Sequence, residues 1–169
     1  MQYGKEKIKE VFSELAGITG REYGGLIESY RTEDADIIVI AMGSMVGTIK
    51  DAVDKLHLEG KRVGLVKIRC YRPFPFEDIW DVIKGTKVVA ILEANFSMGS
   101  EGAVGMDLKA KLCGRPDAPL VLDFIAGLGG REVNEYAVRE VVQKAEDVYK
   151  SGFPLKESYW LGLNPAILP

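Results

Sequence analysis

The chain has 169 residues, 47% of them hydrophobic and 28% charged, with 22 basic against 25 acidic side chains and a formal net charge of −3. That length suits one domain of about 100–200 residues, and the charge balance argues against nucleic acid as the main partner, which needs clustered Lys and Arg. Two cysteines, Cys70 and Cys113, and one histidine, His57, exclude a disulfide scaffold, a self-contained four-cysteine zinc or iron–sulfur site and a metal site built on several histidines.

Residues 3–16 read as a helix, because Ile8, Val11, Phe12 and Leu15 recur at helical spacing between Lys and Glu. Gly17 and Gly20 end it. A glycine-rich stretch follows, in which residues 26–30 alternate weakly and read as a short edge strand. No run of about 18 apolar residues exists, and the charged start MQYGKEKIKEVF lacks the apolar core of a signal peptide. Both features point to a cytoplasmic protein.

From Asp36 the pattern becomes a strand–helix repeat. DIIVIAM is short, β-branched and apolar on both faces, as a buried parallel strand should be. A helix then starts near Ser44, carries Ile49, Val53 and Leu56 on one side and stops at Gly60. RVGLVKIRC is the next strand, and the prolines of YRPFPF prevent its continuation. EDIWDVIKG is a short helix, KVVAILEA a strand, and VGMDLKAKL a helix entered through the polar loop NFSMGSEG. PLVLDFIA is the fourth of these strands, GLGG another glycine loop, and residues 134–150 the last helix, with Asn134 as its N-cap. The tail, residues 151–169, holds three prolines with Tyr159 and Trp160, and is expected to lie on the surface of a body.

Such alternation predicts an α/β sandwich with a mostly parallel sheet and right-handed crossovers. In the common order 2-1-3-4 the topological switch falls between the strands of DIIVIAM and KVVAILEA. Ligand clefts of open parallel sheets form outside the carboxyl ends of strands at that point.

Four loops carry candidate chemistry, each with a plainer alternative. Gly43, Ser44, Gly47 and Thr48 in GSMVGT could receive an anion at a helix N-terminus. The same residues also suit a tight turn with Ser44 capping the helix, and they match neither GxGxxG nor a P-loop. Arg69 and Arg72 near the end of a strand could hold a carboxylate or phosphate. Alternatively CYRPFP is a rigid loop in which Tyr71, Phe74 and Phe76 form contact surface. The loop EANFSMGSEG carries Glu93, Ser97, Gly99 and Glu101. Two carboxylates suggest acid–base work, but no nucleophile or ligand set accompanies them, and Gly99, Gly102 and Gly105 would equally permit close backbone approach. Arg131, beside GLGG, could meet an anion or a neighbouring domain. His57 reads as a surface residue late in its helix, and each cysteine as a small buried hydrophobe. No residue is assigned a catalytic or metal-binding role, none a confident cofactor-binding role, and the residues alone leave a stand-alone nucleotide- or anion-binding α/β module open.

From residue 20 to about 150 the sequence also resembles a known family. GREYG, AMGSMVGT, IRCYRPFP, LEANFSMGSEG and FIAGLGGR together are similar to the α subunit of pyruvate:ferredoxin oxidoreductase and related 2-oxoacid:ferredoxin oxidoreductases. The resemblance is to that subunit's second domain, which is similar to the C-terminal domain of transketolase. It implies a three-layer α/β sandwich with a mostly parallel five-stranded sheet and one antiparallel edge strand, supplied here by residues 26–30. It implies residues 1–19 as a leading connector helix, 20–150 as the domain and 151–169 as an extended tail lying across a partner subunit, with Trp160 and Leu161 buried there.

The family decarboxylates a 2-oxoacid, pyruvate foremost, on thiamine diphosphate with Mg. It passes electrons through iron–sulfur clusters to ferredoxin and the acyl group to coenzyme A. The resemblance therefore implies an oxidoreductase of pyruvate synthase type, in which this chain binds none of these cofactors alone. Its partners would be the other domains of the α subunit, a thiamine-binding β subunit, a γ subunit and a ferredoxin-like δ subunit, with no nucleic acid and no membrane. The thiamine-contacting and cysteine-rich parts of the family are not in this sequence, so the residues correspond to a piece of a longer α subunit or to a separately encoded one. An assembly role follows, with the Gly43–Thr48, Arg72 and Glu93–Gly102 loops bordering the substrate or coenzyme A path.

Overall fold

The computed structural model describes residues 2–152 and 158–163. A six-stranded sheet forms its centre, in the order β1-β3-β2-β4-β5-β6. The strands are β1 (Ile27–Tyr30), β2 (Ile37–Ala41), β3 (Val63–Ile68), β4 (Val88–Glu93), β5 (Leu120–Ile125) and β6 (Tyr159–Trp160). Only β1 runs antiparallel, pairing Ile27 with Ile68 and Tyr30 with Leu65 along β3. The four central strands take the expected order, with the switch between β2 and β4.

Helices cover both faces because the strand residues alternate between two cores. Ile37, Val39 and Ala41 of β2 join Ile49, Val53 and Leu56 of α2 (Met45–Leu58) and Val138, Val141 and Val142 of α5 (Glu135–Ser151). Ile38 and Ile40 face the other way. They meet Ile79 and Ile83 of α3 (Phe76–Ile83) and Val104 and Leu108 of α4 (Ala103–Leu112).

The sixth strand corrects the expected count of five. Tyr159 pairs with Phe124 and Trp160 with Ile125 in parallel, and Leu161 N–H donates to the Ile125 carbonyl at 2.9 Å. Tyr159 and Leu161 are buried within this chain, while Trp160 is 37% exposed and packs edge-on against Phe96. The described part of the tail therefore belongs to the body, and Leu161 needs no partner subunit to leave water. A two-residue strand carries no periodicity, so only its tertiary partners reveal it. Residues 153–157 and 164–169 of the expected tail lie outside the described residues.

The first helix, α1 (Gln2–Thr19), runs through Gly17 and stops before Gly20, whose φ of 67° is left-handed. Lys5 pairs with Glu77, and Lys9 with Asp78 at 2.5 Å, which anchors α1 to the first turn of α3. Ile8 and Phe12 are half-buried, whereas Val11, Leu15 and Ile18 stay exposed.

Asn134 caps α5 as expected. Its Oδ1 accepts from the Ala137 N–H at 3.1 Å. Asn134→Ala should lower stability by about 1 kcal/mol, measured by urea denaturation of the two chains; an unchanged midpoint would mean that water replaces the cap. Ser44, by contrast, holds the N-cap position of α2 without a side-chain cap bond. Its backbone, φ −69° and ψ −29°, is already helical, and an oxygen cap requires extended backbone there. His57 is half-buried rather than superficial, its Nε2 lying 2.8 Å from the Val63 carbonyl. Cys113 is exposed and Cys70 half-buried, so neither is a core hydrophobe.

Candidate functional site

The carboxyl ends of β2, β4 and β5 open onto a cleft of about 440 Å³ lined by Ser44, Thr48, Ala94, Gly127, Arg131 and Glu132 among others. The cleft brings together the start of α2 and the exit of β4, the two loops at the switch point, with the turn after β5, which the switch-point argument did not include. Gly127 is left-handed with φ 75°, which favours glycine, and a Cβ there would also press on the Val133 side chain at 3.2 Å. No ion pair or side-chain hydrogen bond engages Arg131 among the described residues, and it is exposed to the cleft's solvent. Two hydroxyls, a guanidinium and the N-terminus of α2 make a donor set suited to an anion such as a phosphate. Glu132 on the same wall reduces the net positive charge.

The other sequence candidates lie elsewhere. Gly43 and Gly47 are exposed beside the start of α2 and do not line the cleft. Arg72 pairs with Asp107 of α4 at 2.8 Å and its guanidinium stacks 3.8 Å from the centre of the Tyr71 ring. Tyr71 donates to the same Asp107 at 2.6 Å, and burial together with that hydrogen bond raises its pKa. This is a packing cluster within the chain, and it engages the Arg72 guanidinium with a carboxylate of its own fold. Arg69 pairs with Glu28 at 2.5 Å. Ser97 and Glu101 close a turn, the Ser97 N–H donating to the Glu101 carbonyl at 2.9 Å around left-handed Gly99.

Glu93 and Glu101 do not work as a pair. Glu101 binds Lys109 at 2.7 Å. Glu93 is 2% exposed and its neighbour is Asp123, 0% exposed, from β5. Glu93 takes over the capping that Gly102, lacking a side chain, cannot perform. Its two oxygens accept from the Val104 N–H at 3.2 Å and the Gly105 N–H at 3.1 Å. Asp123 Oδ2 accepts from the Gly102 N–H at 2.9 Å and the Ser158 hydroxyl at 2.8 Å. Burial pushes the Glu93 carboxyl up to about 7, against the pull of the two backbone donors, and the Asp123 charge adds to the rise. Asp123 escaped the sequence reading, although an acid inside the apolar run LVLDFI is itself a signal.

A second cleft, of about 260 Å³, lies at the opposite ends of the strands. Its Lys61 pairs with Glu146, while Arg62 and Lys87 share Asp36, so each of the three cations is engaged although one positive charge is left over. Among the described residues no group of three or more His, Cys, Asp or Glu side chains is placed to hold a metal ion, and no helix is long and apolar enough to cross a membrane.

Comparison with known proteins bears on this geometry. The chain is 45% identical over 168 residues to the pyruvate synthase subunit PorA of Pyrococcus abyssi, a match that covers 99% of this chain and 42% of that protein. It therefore spans about two fifths of the length of that curated relative. Among solved structures it superposes on a split gene transketolase, described as an inactive β4 tetramer, with a TM-score of 0.56 and 19% identity, covering 72% of this chain and 42% of that one. It also superposes on the 2-oxoglutarate:ferredoxin oxidoreductase of Magnetococcus marinus, solved with 2-oxoglutarate, coenzyme A and succinyl-CoA, with a TM-score of 0.53 and 20% identity over 78% of this chain and 21% of that one. Those likenesses show the transketolase-like fold expected from the motifs. Residues 35–138, from β2 into α5, match the model of the pyruvate:ferredoxin oxidoreductase core domain II, and the chain belongs to that family.

Proposed function

We propose that this chain is the assembly domain of the α subunit of a thiamine-diphosphate-dependent 2-oxoacid:ferredoxin oxidoreductase acting on pyruvate. In this reading residues 1–19 connect to a preceding domain, and residues 20–150 form the domain itself together with β6, which the tail adds to the edge of its sheet. The observation that carries the proposal is the 45% identity, along almost the whole chain, to a pyruvate synthase subunit. The cleft supports the reading by offering anion-binding donors.

Thiamine diphosphate, Mg and the iron–sulfur clusters belong to the assembled enzyme, where they supply decarboxylation and electron transfer. The donor set of Ser44, Thr48 and Arg131 fits a phosphate of coenzyme A, whose path this cleft would border. Arg131 would hold that phosphate by charge-assisted hydrogen bonds, and the α2 N-terminus would orient it.

Native co-purification followed by intact-mass analysis tests the assembly. The sequence should emerge in a complex with thiamine-binding and ferredoxin-like subunits; recovery of a lone 18.6 kDa chain that binds nucleotides by itself would replace this reading with a stand-alone module. In the assembled enzyme, Arg131→Ala should raise the KM for coenzyme A about tenfold, the worth of one charge-assisted contact, with kcat preserved. An unchanged KM would remove coenzyme A from this cleft.

A further inference from the structure

The buried carboxyl pair at the base of α4 has no part in the assembly reading and joins three segments. Gly102 and Gly105 come so close to it that a Cβ on Gly102 would lie 2.1 Å from Glu93 Oε1 and 2.9 Å from Asp123 Oδ1. Both oxygens therefore crowd the same space beside Gly102, and a side-chain hydrogen bond between Glu93 and Asp123 contributes to the raised Glu93 pKa. Every other oxygen of the pair has an N–H or O–H donor, whereas Asp123 Oδ1 is fully buried with no hydrogen-bond partner among the described residues. A buried acceptor left unmatched is costly, and two buried carboxylates side by side cannot both ionise cheaply. One hydrogen on Glu93 answers both demands. The surrounding donors and the absence of space around Gly102 make the cluster unsuited to a cation.

We propose that Glu93 and Asp123 share one proton and form a clasp that fastens the N-terminus of α4, the loop 94–101 before it and the segment from Ser158 through β6 to the ends of β4 and β5. Glu93 donates this proton to Asp123 Oδ1. When the proton leaves, two adjacent carboxylates remain under the helix, and relief requires water to enter. The three segments then loosen together. Ala94, the first residue of the loop, lines the cleft, so the same event changes the cleft wall.

The direction with pH follows from the raised Glu93 pKa. A group that binds its proton more tightly in the folded state stabilises that state at low pH. The clasp is therefore fully held below the ordinary carboxylate range near 4.5 and is lost as pH rises through about 7. Of the other charges on the neighbouring elements, Glu101 pairs with Lys109 and Asp107 with Arg72, while Lys111 stands in the last turn of α4, at the end away from the carboxyl pair. Tyr159 of β6 stacks on Phe124, which belongs to the core on the opposite face of the sheet.

Amide hydrogen exchange of the full chain from pH 5.5 to 8.5, corrected for intrinsic rates, tests the clasp. Protection of the Gly102, Val104, Gly105 and Leu161 amides should fall together by at least tenfold, with a midpoint near 7, while Ile38 and Ile40 in β2 hold. Asp123→Asn can place an amide N–H where the shared proton lies, so its profile should be flat. Glu93→Gln, which cannot ionise, should be flat as well. A wild-type profile without this transition overturns the proposal, and so does an equal fall in either variant. If neither variant folds, a carbon-13 titration of the wild-type Glu93 carboxyl decides alone: a midpoint below 5 rules the shared proton out.

Discussion

Gly102→Ala should lower the stability of the chain by about 3 kcal/mol or more, at the upper end of overpacking effects, and its Tm by roughly 6–12 °C. Backbone conformation is not the cause, since Gly102 has φ −63° and ψ 147°, which any residue adopts. The new methyl group would sit 2.1 Å from Glu93 Oε1 and 2.4 Å from Glu93 Cδ. Glu93 has nowhere to retreat, because it is buried and bonded to two amides of α4. Either the helix lifts off the sheet or the carboxyl loses its donors. Gly47→Ala serves as control. Nothing lies within 4 Å of the added atom there, and alanine in a helix is worth about 0.5–1 kcal/mol over glycine. Thermal melts of the two variants beside wild type give the contrast. Equal melting temperatures would mean that α4 does not sit on Glu93 as described.

Phe124→Ala should cost about 3–5 kcal/mol, the range for emptying a buried aromatic site. Phe124 is 0% exposed, the largest of the fully buried side chains. Its ring stacks on Tyr159 with centroids 5.1 Å apart and planes inclined by 23°. The loss should therefore extend to β6. Phe124→Ala and Tyr159→Ala should be non-additive in a double-mutant cycle, with a coupling of about 0.5–1.5 kcal/mol. Chemical denaturation of the four chains measures it. Strict additivity would show that Tyr159 gains nothing from Phe124 and that the sixth strand is held by its other contacts.

Much of this fold was legible because parallel strands buried on both faces leave a strong signature. IIVIA in β2 is apolar at every position, and all five residues are buried. Asn134 announced the start of α5 correctly because capping is local chemistry. Ser44 misled for the same reason in reverse: the residue type was right, but its backbone had already turned helical.

The candidate site divided along similar lines. Ser44, Thr48 and Arg131 share a cleft because strand order alone fixes which loops meet. Glu93 is visible in the sequence, but its partner is not. Sequence proximity favours Glu101, whereas strand register places Asp123 opposite Ile91, two residue pairs along from Glu93 and so on the same face. The partnership therefore exists only once β4 and β5 are paired. β6 was hidden for a related reason, since Tyr159 and Trp160 become a strand only against Phe124 and Ile125.

The margins of the sheet have a consequence for solubility. On one side lies β1, four residues long, with Glu28 drawn to Lys50, Lys67 and Arg69. On the other lies β6, only two residues long. Short and charged margins offer little template for another chain to add a strand. Four parallel strands rich in valine and isoleucine would otherwise be a fibril-forming surface. β6 is thus a hem, closing the fabric of the sheet where it would fray into aggregates.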